Sequence, residues 1–199
     1  MKEINFLARV DLEKCNGCTI CARVCTTCAI IIENHKAIVN QKRCVGCAAC
    51  EQRCPEYAIE IILREDPFIA QVSIESSIKE TIDNLCRSAK LHPEQVVCYC
   101  TGTRAEEIAA AILKGAKSPE DISFMTGART GCKVECIEPI LRLFEAAKVE
   151  PKKPEGGWQW YGITKNVWEI SKDIRDQYEG RGFYFDKDEE LLNKVVSSK

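Results

Sequence analysis

The sequence predicts an α+β chain in three parts: a cysteine-rich unit of short strands and helices over residues 1–64, a small all-α unit over 65–149, and an extended and helical tail over 150–199. Three observations carry that prediction. Cys15, Cys18, Cys21 and Cys25 recur as Cys44, Cys47, Cys50 and Cys54, each run reading C-x2-C-x2-C-x3-C. Helical apolar periodicity sets in near Ser76 and returns in segments up to about Ala147. The stretch Pro151 to Gly157, made of Pro, Lys, Glu and Gly, has the composition of a linker.

Three cysteines at successive gaps of two residues wrap a tight loop whose sulfurs face one small volume, as a four-iron cubane requires, and the fourth thiolate has to come from elsewhere. The repeat extends past the cysteines at a constant offset of 29 residues, so that Ala29-Ile30 answers Ala58-Ile59 and Gly17 answers Gly46. On these residues the first 64 positions resemble the bacterial two-cluster 4Fe-4S ferredoxins. The resemblance implies the two-cluster ferredoxin fold and two 4Fe-4S clusters whose ligands are exchanged between the halves. Cys15, Cys18, Cys21 and Cys54 would surround one cluster, and Cys44, Cys47, Cys50 and Cys25 the other. Zinc and a disulfide framework are the competing readings of cysteines at such density. One departure stands out: Thr26 follows Cys25 where Pro55 follows Cys54, and an additional cysteine, Cys28, comes close behind. We read Cys28 as a small buried apolar filler beside the cluster, with a ligand exchange or a redox role as alternatives.

Arg64 to Pro67 reads as a charged, proline-closed break that ends the repeat. Beyond it a helix from about Ser76 places Ile78, Ile82, Leu85, Cys86 and Ala89 on one face. An extended segment, Val96 to Cys100, leads to Thr103, which with Glu106 forms a predicted capping box for a helix ending at Gly115. Ser118 and Pro119 open another short helix, and the loop Gly127 to Gly131 delivers Cys132 and Cys136 to a last one. Two cysteine pairs, each beside a helix start, put anionic sulfurs where backbone N–H groups and the helix dipole favour them.

Cys98-Tyr99-Cys100, the 31 residues between Cys100 and Cys132, and the Cys132/Cys136 pair resemble the bacterioferritin-associated ferredoxin family over about residues 96–147. The resemblance implies a helical domain holding one 2Fe-2S cluster through Cys98, Cys100, Cys132 and Cys136. The second pair departs from the family's C-x2-C spacing, since Cys132 and Cys136 are separated by three residues, and Glu135 stands where the last ligand would be. An extra residue on a formed helix would turn a ligand away by about a third of a turn, whereas a loop absorbs it. Zinc on the same thiolates, a metal-free unit, and Cys86 in place of Cys136 remain as alternatives.

The tail holds all three tryptophans, Trp158, Trp160 and Trp168, together with Tyr161. A predicted helix from about Thr164 to Glu179 aligns Val167, Ile170, Ile174 and Tyr178, either to pack on the rest of the chain or to dock a partner subunit. His35 and His92 stand alone and read as surface residues.

A net charge of −2 and a pI near 5.9 give no basic footprint for nucleic acid. No apolar run reaches the roughly 20 residues of a membrane span, and no export signal precedes the first strand, so a cytoplasmic protein is expected. Fourteen cysteines in a reducing compartment point to metal ligands, and their density to an anaerobic host. No flavin, nicotinamide or nucleophile motif is present, so no catalytic site of its own is expected. The combined expectation is an iron–sulfur electron-transfer subunit in a hetero-oligomeric oxidoreductase, joined to a flavin-containing or other catalytic subunit and a one-electron carrier such as a ferredoxin. A metal or cluster delivery protein, or a redox regulator using the second cysteine site, is the alternative.

Overall fold

The computed structural model describes residues 2–152 and 165–198. Its first half is built twice over. Strand β1 (Glu3–Val10) precedes the first cysteine run, which closes on the single-turn helix α1 (Ile20–Val24). A hairpin of β2 (Ile30–Glu33) and β3 (Lys36–Val39) follows, then the second run with helix α2 (Ala49–Arg53), then strand β4 (Ile59–Ile69), antiparallel to β1. The hairpin turn, Asn34-His35, has φ of +49° and +58°, the double left-handed geometry of a type I′ turn.

The 29-residue offset persists atom by atom. Thr19 and Ala48 begin the two short helices with φ of +71° and +58°. The Asp11 N–H donates to the Ala58 carbonyl at 2.8 Å, and the Asn40 N–H to the Ala29 carbonyl at 2.7 Å. Each half is thus closed by a residue of the other.

Arg64 to Pro67 is not the break expected from its sequence. Strand β4 continues through it, with a register shift opposite Ile4 to Phe6, and pairs again at Phe68 and Ile69. Arg64 is held in place because its guanidinium donates to the Cys44 carbonyl at 3.1 Å and the Gln41 carbonyl at 2.8 Å. The strand therefore outruns residue 64, the boundary expected for the first part.

The second half is helical, and a short ribbon departs from the expected all-α unit. After a 3-10 turn at Ser76–Ile78 comes α3 (Lys79–Ser88), whose Ile82, Leu85 and Cys86 are buried. Strands β5 (Val96–Cys98) and β6 (Thr103–Arg104) pair before α4 (Ala105–Leu113), with α5 (Pro119–Thr126) and α6 (Ile137–Ala146) beyond. Helix α4 is the centre of the bundle: Ile108, Ala109, Ala110 and Ala111 are all buried, so it is apolar nearly all round, as a helix enclosed by neighbours must be. The cap lies one residue later than expected. Glu107 accepts the Arg104 N–H at 3.0 Å, while Thr103 is buried and donates to the Thr126 carbonyl. Ser118 caps α5 as predicted, accepting from the Asp121 N–H at 3.1 Å.

Among the described residues, side-chain contacts join the halves. Lys2 Nζ meets Glu107 Oε2 at 2.9 Å, Phe68 packs on Phe124 with centroids 6.2 Å apart, and Arg43 meets Asp121 at 2.7 Å while lying 5.3 Å over the Phe124 ring. No helix among the described residues is long and apolar enough to cross a membrane.

In the tail, Trp158, Trp160, Tyr161, Thr164 and the linker from Lys153 to Gly157 lie outside the described residues. The expected helix to Glu179 is interrupted: a 3-10 turn at Val167–Glu169 ends in extended backbone at Ile170, and α7 (Lys172–Glu179) starts anew. Arg175 causes the break by taking the Val167 and Ile170 carbonyls at 2.6 and 2.9 Å, and it also pairs with Asp186 and Glu189 of α8 (Phe185–Ser197). Trp168 packs on this chain, with the Arg142 guanidinium 5.5 Å over its ring and its indole N–H bonded to Asn193.

Gly17 and Gly46 have φ of +74° and +62°, and a Cβ there would come within 2.4 Å of the His35 carbonyl oxygen and 2.5 Å of that of Phe6. Gly17→Ala and Gly46→Ala should therefore each cost at least about 1–3 kcal/mol from backbone strain alone. Thermal unfolding of the anaerobically purified variants checks this, with Gly102→Ala, at a site with free space around it, as the control for positive φ without a clash.

Candidate metal centres

Because the cysteine loops start at equivalent places, they curl alike. Cys15 N–H donates to the Asp11 carbonyl and Cys44 N–H to that of Asn40, each at 3.0 Å. Lys36 clamps the first loop through the Leu12 and Cys15 carbonyls at 2.8 and 2.6 Å, and Arg64 holds the matching carbonyls of the second. Neither cation was singled out from the sequence. The carbonyls they bind are 29 residues apart but the two cations are not, and only the pairing of β4 brings Arg64 over its loop.

The structure gathers the expected thiols. Cys15, Cys18, Cys21 and Cys54 line one small cavity with Ile32, Ala58 and Ile59. Cys25, Cys44, Cys47 and Cys50 line a second with Ala8, Ile30 and Ile61. Both sets combine three cysteines of one run with the last cysteine of the other. Among the described residues no three His, Cys, Asp or Glu side chains converge as ligands of a single ion; the sulfurs lie around the wall of a cavity, an arrangement suited to a body of several atoms.

Backbone donors face these sulfurs. Ala29 N–H points at Cys25 Sγ at 3.1 Å, Ala58 N–H at Cys54 Sγ at 3.3 Å, and Ala8 N–H at Cys44 Sγ at 3.4 Å. Such dipoles favour negative charge on sulfur. Without a cluster, burial among apolar groups acts the other way, pushing the thiols of Cys21 and Cys50 up to about 11 and about 12. The donor set and the apolar walls fit an iron–sulfur cluster, whose bonds to sulfur replace the protons.

Cys28 departs from the expected filler role. It occupies the left-handed place equivalent to Tyr57, with φ of +51° against +49°, is half-buried, and lines neither cavity. Burial, followed by the charge of Glu120, pushes its thiol up to about 12. Cys28 thus sits where the two halves meet. Thr26, where the repeat puts Pro55, is wholly buried with its hydroxyl 3.5 Å from Cys47 Sγ.

In the helical half Cys98 and Cys136 are 2% and 1% exposed, whereas Cys100 and Cys132 are open to solvent. Cys136 and Cys98 share a hydrogen bond that lowers the Cys98 thiol to about 4 and raises that of Cys136. The Arg129 backbone N–H faces both sulfurs. Cys132 is lowered by the N–H groups of Val134 and Glu135 and pairs with Cys100, toward which its own N–H donates at 3.3 Å. The additional residue between Cys132 and Cys136 is absorbed in the loop, where Lys133 has φ of +66°, so Cys136 reaches Cys98 from the position just before α6. Gly131 makes room, since a Cβ there would lie 2.5 Å from that of Cys100. Cys86 is in the core, raised to about 12 by burial, with Asp83, Glu106, Lys79 and Arg87 as its charged neighbours.

His35 lends its backbone to the Gly17 contact, and His92 Nδ1 accepts the Glu94 N–H at 3.2 Å. Both are structural.

Two segments that carry these cysteines match known protein families. Residues 37–60 match the family model of the 4Fe-4S binding domain, and residues 96–146 that of the BFD-like 2Fe-2S binding domain. Both models describe iron–sulfur binding domains. The first match holds the whole second cysteine run, Cys44 to Cys54; the second holds both cysteine pairs of the helical half. No curated protein and no solved structure matches the chain.

Cys136→Ser and Cys98→Ser should each abolish or strongly alter the two-iron electron paramagnetic resonance signal while sparing the four-iron signals. Cys86→Ser and Cys28→Ala should leave both kinds in place. A normal two-iron spectrum in Cys136→Ser together with its loss in Cys86→Ser would make Cys86 the ligand.

Proposed function

We propose that the chain is an iron–sulfur electron-transfer subunit of a multi-subunit oxidoreductase, relaying single electrons between a two-electron catalytic subunit, flavin being the first choice, and a one-electron carrier. The observation that supports it best is the presence of three separate four-cysteine sites in one packed chain, two walled by apolar residues and one opening to solvent. The ligand sets are Cys15, Cys18, Cys21 and Cys54 for one 4Fe-4S cluster, Cys25, Cys44, Cys47 and Cys50 for a second, and Cys98, Cys100, Cys132 and Cys136 for a 2Fe-2S cluster. Division into a cysteine-run domain, a helical domain and a tail belongs to the same reading.

When bound, such clusters supply one-electron chemistry at potentials of roughly −700 to +450 mV, set by charge, exposure and hydrogen bonds to sulfur. The chain's residues supply the tuning. N–H groups of Ala8, Ala29, Ala58 and Cys132 stabilise negative sulfur, which favours the reduced state, and Ile30, Ile32, Ile59 and Ile61 exclude water, which disfavours added charge. Cytoplasmic location, an anaerobic host and a hetero-oligomer are the setting this role calls for.

One observation favours the second reading, a delivery protein or redox regulator: Cys100 and Cys132 are open to solvent, as a site that surrenders its metal must be. The two readings differ in retention and in company.

Anaerobically purified protein should hold about ten irons, from two four-iron and one two-iron centre, and should co-purify from its native source with a flavin-bearing subunit. About eight irons with stoichiometric zinc would reject the two-iron centre. Quantitative passage of iron from the helical site to an apo-acceptor, with no flavin subunit in the native preparation, would replace the relay by the delivery role.

A further inference from the structure

The three sites are not placed equivalently. The cavity of Cys15, Cys18, Cys21 and Cys54 has an exposed cysteine, Cys18, and a rim of Asn16 and Glu56 joined at 2.9 Å. Its lining residues include no partner of Arg43, whereas Thr27, which lines the other cavity, accepts the Arg43 guanidinium that reaches the helical half. The other cavity is covered on one side by Thr26 and Thr27, which are 0% and 1% exposed, and Arg43 reaches from that cover into the helical half.

From there a series of contacts, continued along the chain from Asp121 to Glu120, runs to the helical cysteines. Thr27 Oγ1 lies 3.8 Å from Cys25 Sγ, and its carbonyl accepts Arg43 Nε at 2.6 Å. Arg43 Nη2 donates to Asp121 Oδ1 at 2.7 Å. Next along the chain Glu120 pairs with Arg129 at 3.2 Å, both side chains being almost wholly buried. The Arg129 backbone N–H then faces the sulfurs of Cys98 and Cys136. Cys28 lies alongside, with Glu120, Arg43 and Arg129 as its charged neighbours.

We propose that the cavity of Cys25, Cys44, Cys47 and Cys50 is the inner site of the chain, that it exchanges electrons with the helical site across the Arg43–Asp121 joint, and that the Cys15, Cys18, Cys21 and Cys54 cavity is the outer port. This rests on the relay reading above and gives it an order. Two solvent-facing ends follow: Cys18 at one, and Cys100 with Cys132, flanked by exposed Tyr99 and Val134, at the other. A single electron crossing the joint oxidises the site it leaves by one unit and reduces the site it reaches by one. It is provided by a one-electron reductant at one end and removed by a one-electron oxidant at the other. No proton crosses with it, because a guanidinium paired with a carboxylate keeps its charge throughout. Arg43 is a positioning residue here: its guanidinium donates to Thr27 and Asp121, and so holds the two halves at one distance. Electron tunnelling falls steeply with distance, so loosening this joint slows transfer without removing either site.

The test uses the full chain, purified anaerobically, with a photoreduced deazaflavin as one-electron reductant. Wild-type protein should show the two-iron resonance broadened by a neighbouring reduced centre. Cys18→Ser should keep the broadening, and Cys47→Ser should lose it. Arg43→Met and Asp121→Asn touch no ligand and should keep the wild-type iron content, yet slow internal equilibration by about tenfold or more, as loss of positioning does. Arg43→Lys, which keeps the charge but not the two-armed geometry, should fall between. Unchanged equilibration and broadening in Arg43→Met, or broadening lost in Cys18→Ser and kept in Cys47→Ser, overturns the wiring while the relay stands. Wild-type protein without clusters overturns both.

Discussion

Crowding four sulfurs around a volume a few ångströms across is the constraint on which the rest of this molecule depends. Sulfur carries negative charge when it binds iron, and four such groups repel one another and lose hydration in an apolar cavity. The chain answers with backbone N–H groups aimed at Cys25, Cys44 and Cys54, and with Lys36 and Arg64, which draw in the carbonyls of the two loops and fix their curl. Glycine at Gly17 and Gly46 follows from the same demand, because the loops turn against the His35 and Phe6 backbones with no space for a side chain.

The small core of the first half explains why its halves interlock. Besides cysteines it has little more than Leu7, Ala8, Ala29, Ile30, Ala37 and Ile59, and so small an apolar set cannot by itself hold a chain of this length. Each cavity is lined by three cysteines of one run and the last cysteine of the other, so that a bound cluster would cross-link the two halves. The helical half has no such need. Ile82, Leu91, Ile108, Ile122, Ile140, Leu143 and Phe144 form a continuous core around α4, and its cysteine pairs sit at the bundle's edge, two buried and two open.

Where the two halves meet, the repeat breaks its own pattern. Thr26 replaces the proline and Cys28 the exposed tyrosine of the second copy; Thr26 is wholly buried with its hydroxyl against Cys47, and Cys28 lies toward the helical half, beside Glu120 and Arg129. The departures from internal symmetry thus mark the side of the first unit that is covered.

Sequence by itself determined the cysteine runs and their spacing, the duplication, and the order of strand, helix and loop, because residue spacing, caps such as Ser118, and apolar period are properties of neighbouring residues. Tertiary structure decided what depends on residues far apart. It carried β4 through Arg64 to Pro67, since pairing with β1 outweighs the local turn signal. It moved the start of α4 to Arg104, because Thr103 is drawn into the core by Thr126. It split the tail helix, because Arg175 takes the carbonyls that helix would have used. It placed Cys136, not Cys86, beside Cys98, the loop at Lys133 absorbing a residue that a helix would have turned aside. And it chose which four-cysteine cavity faces the helical half: the two runs are equivalent in spacing, and only packing against α5 tells one from the other.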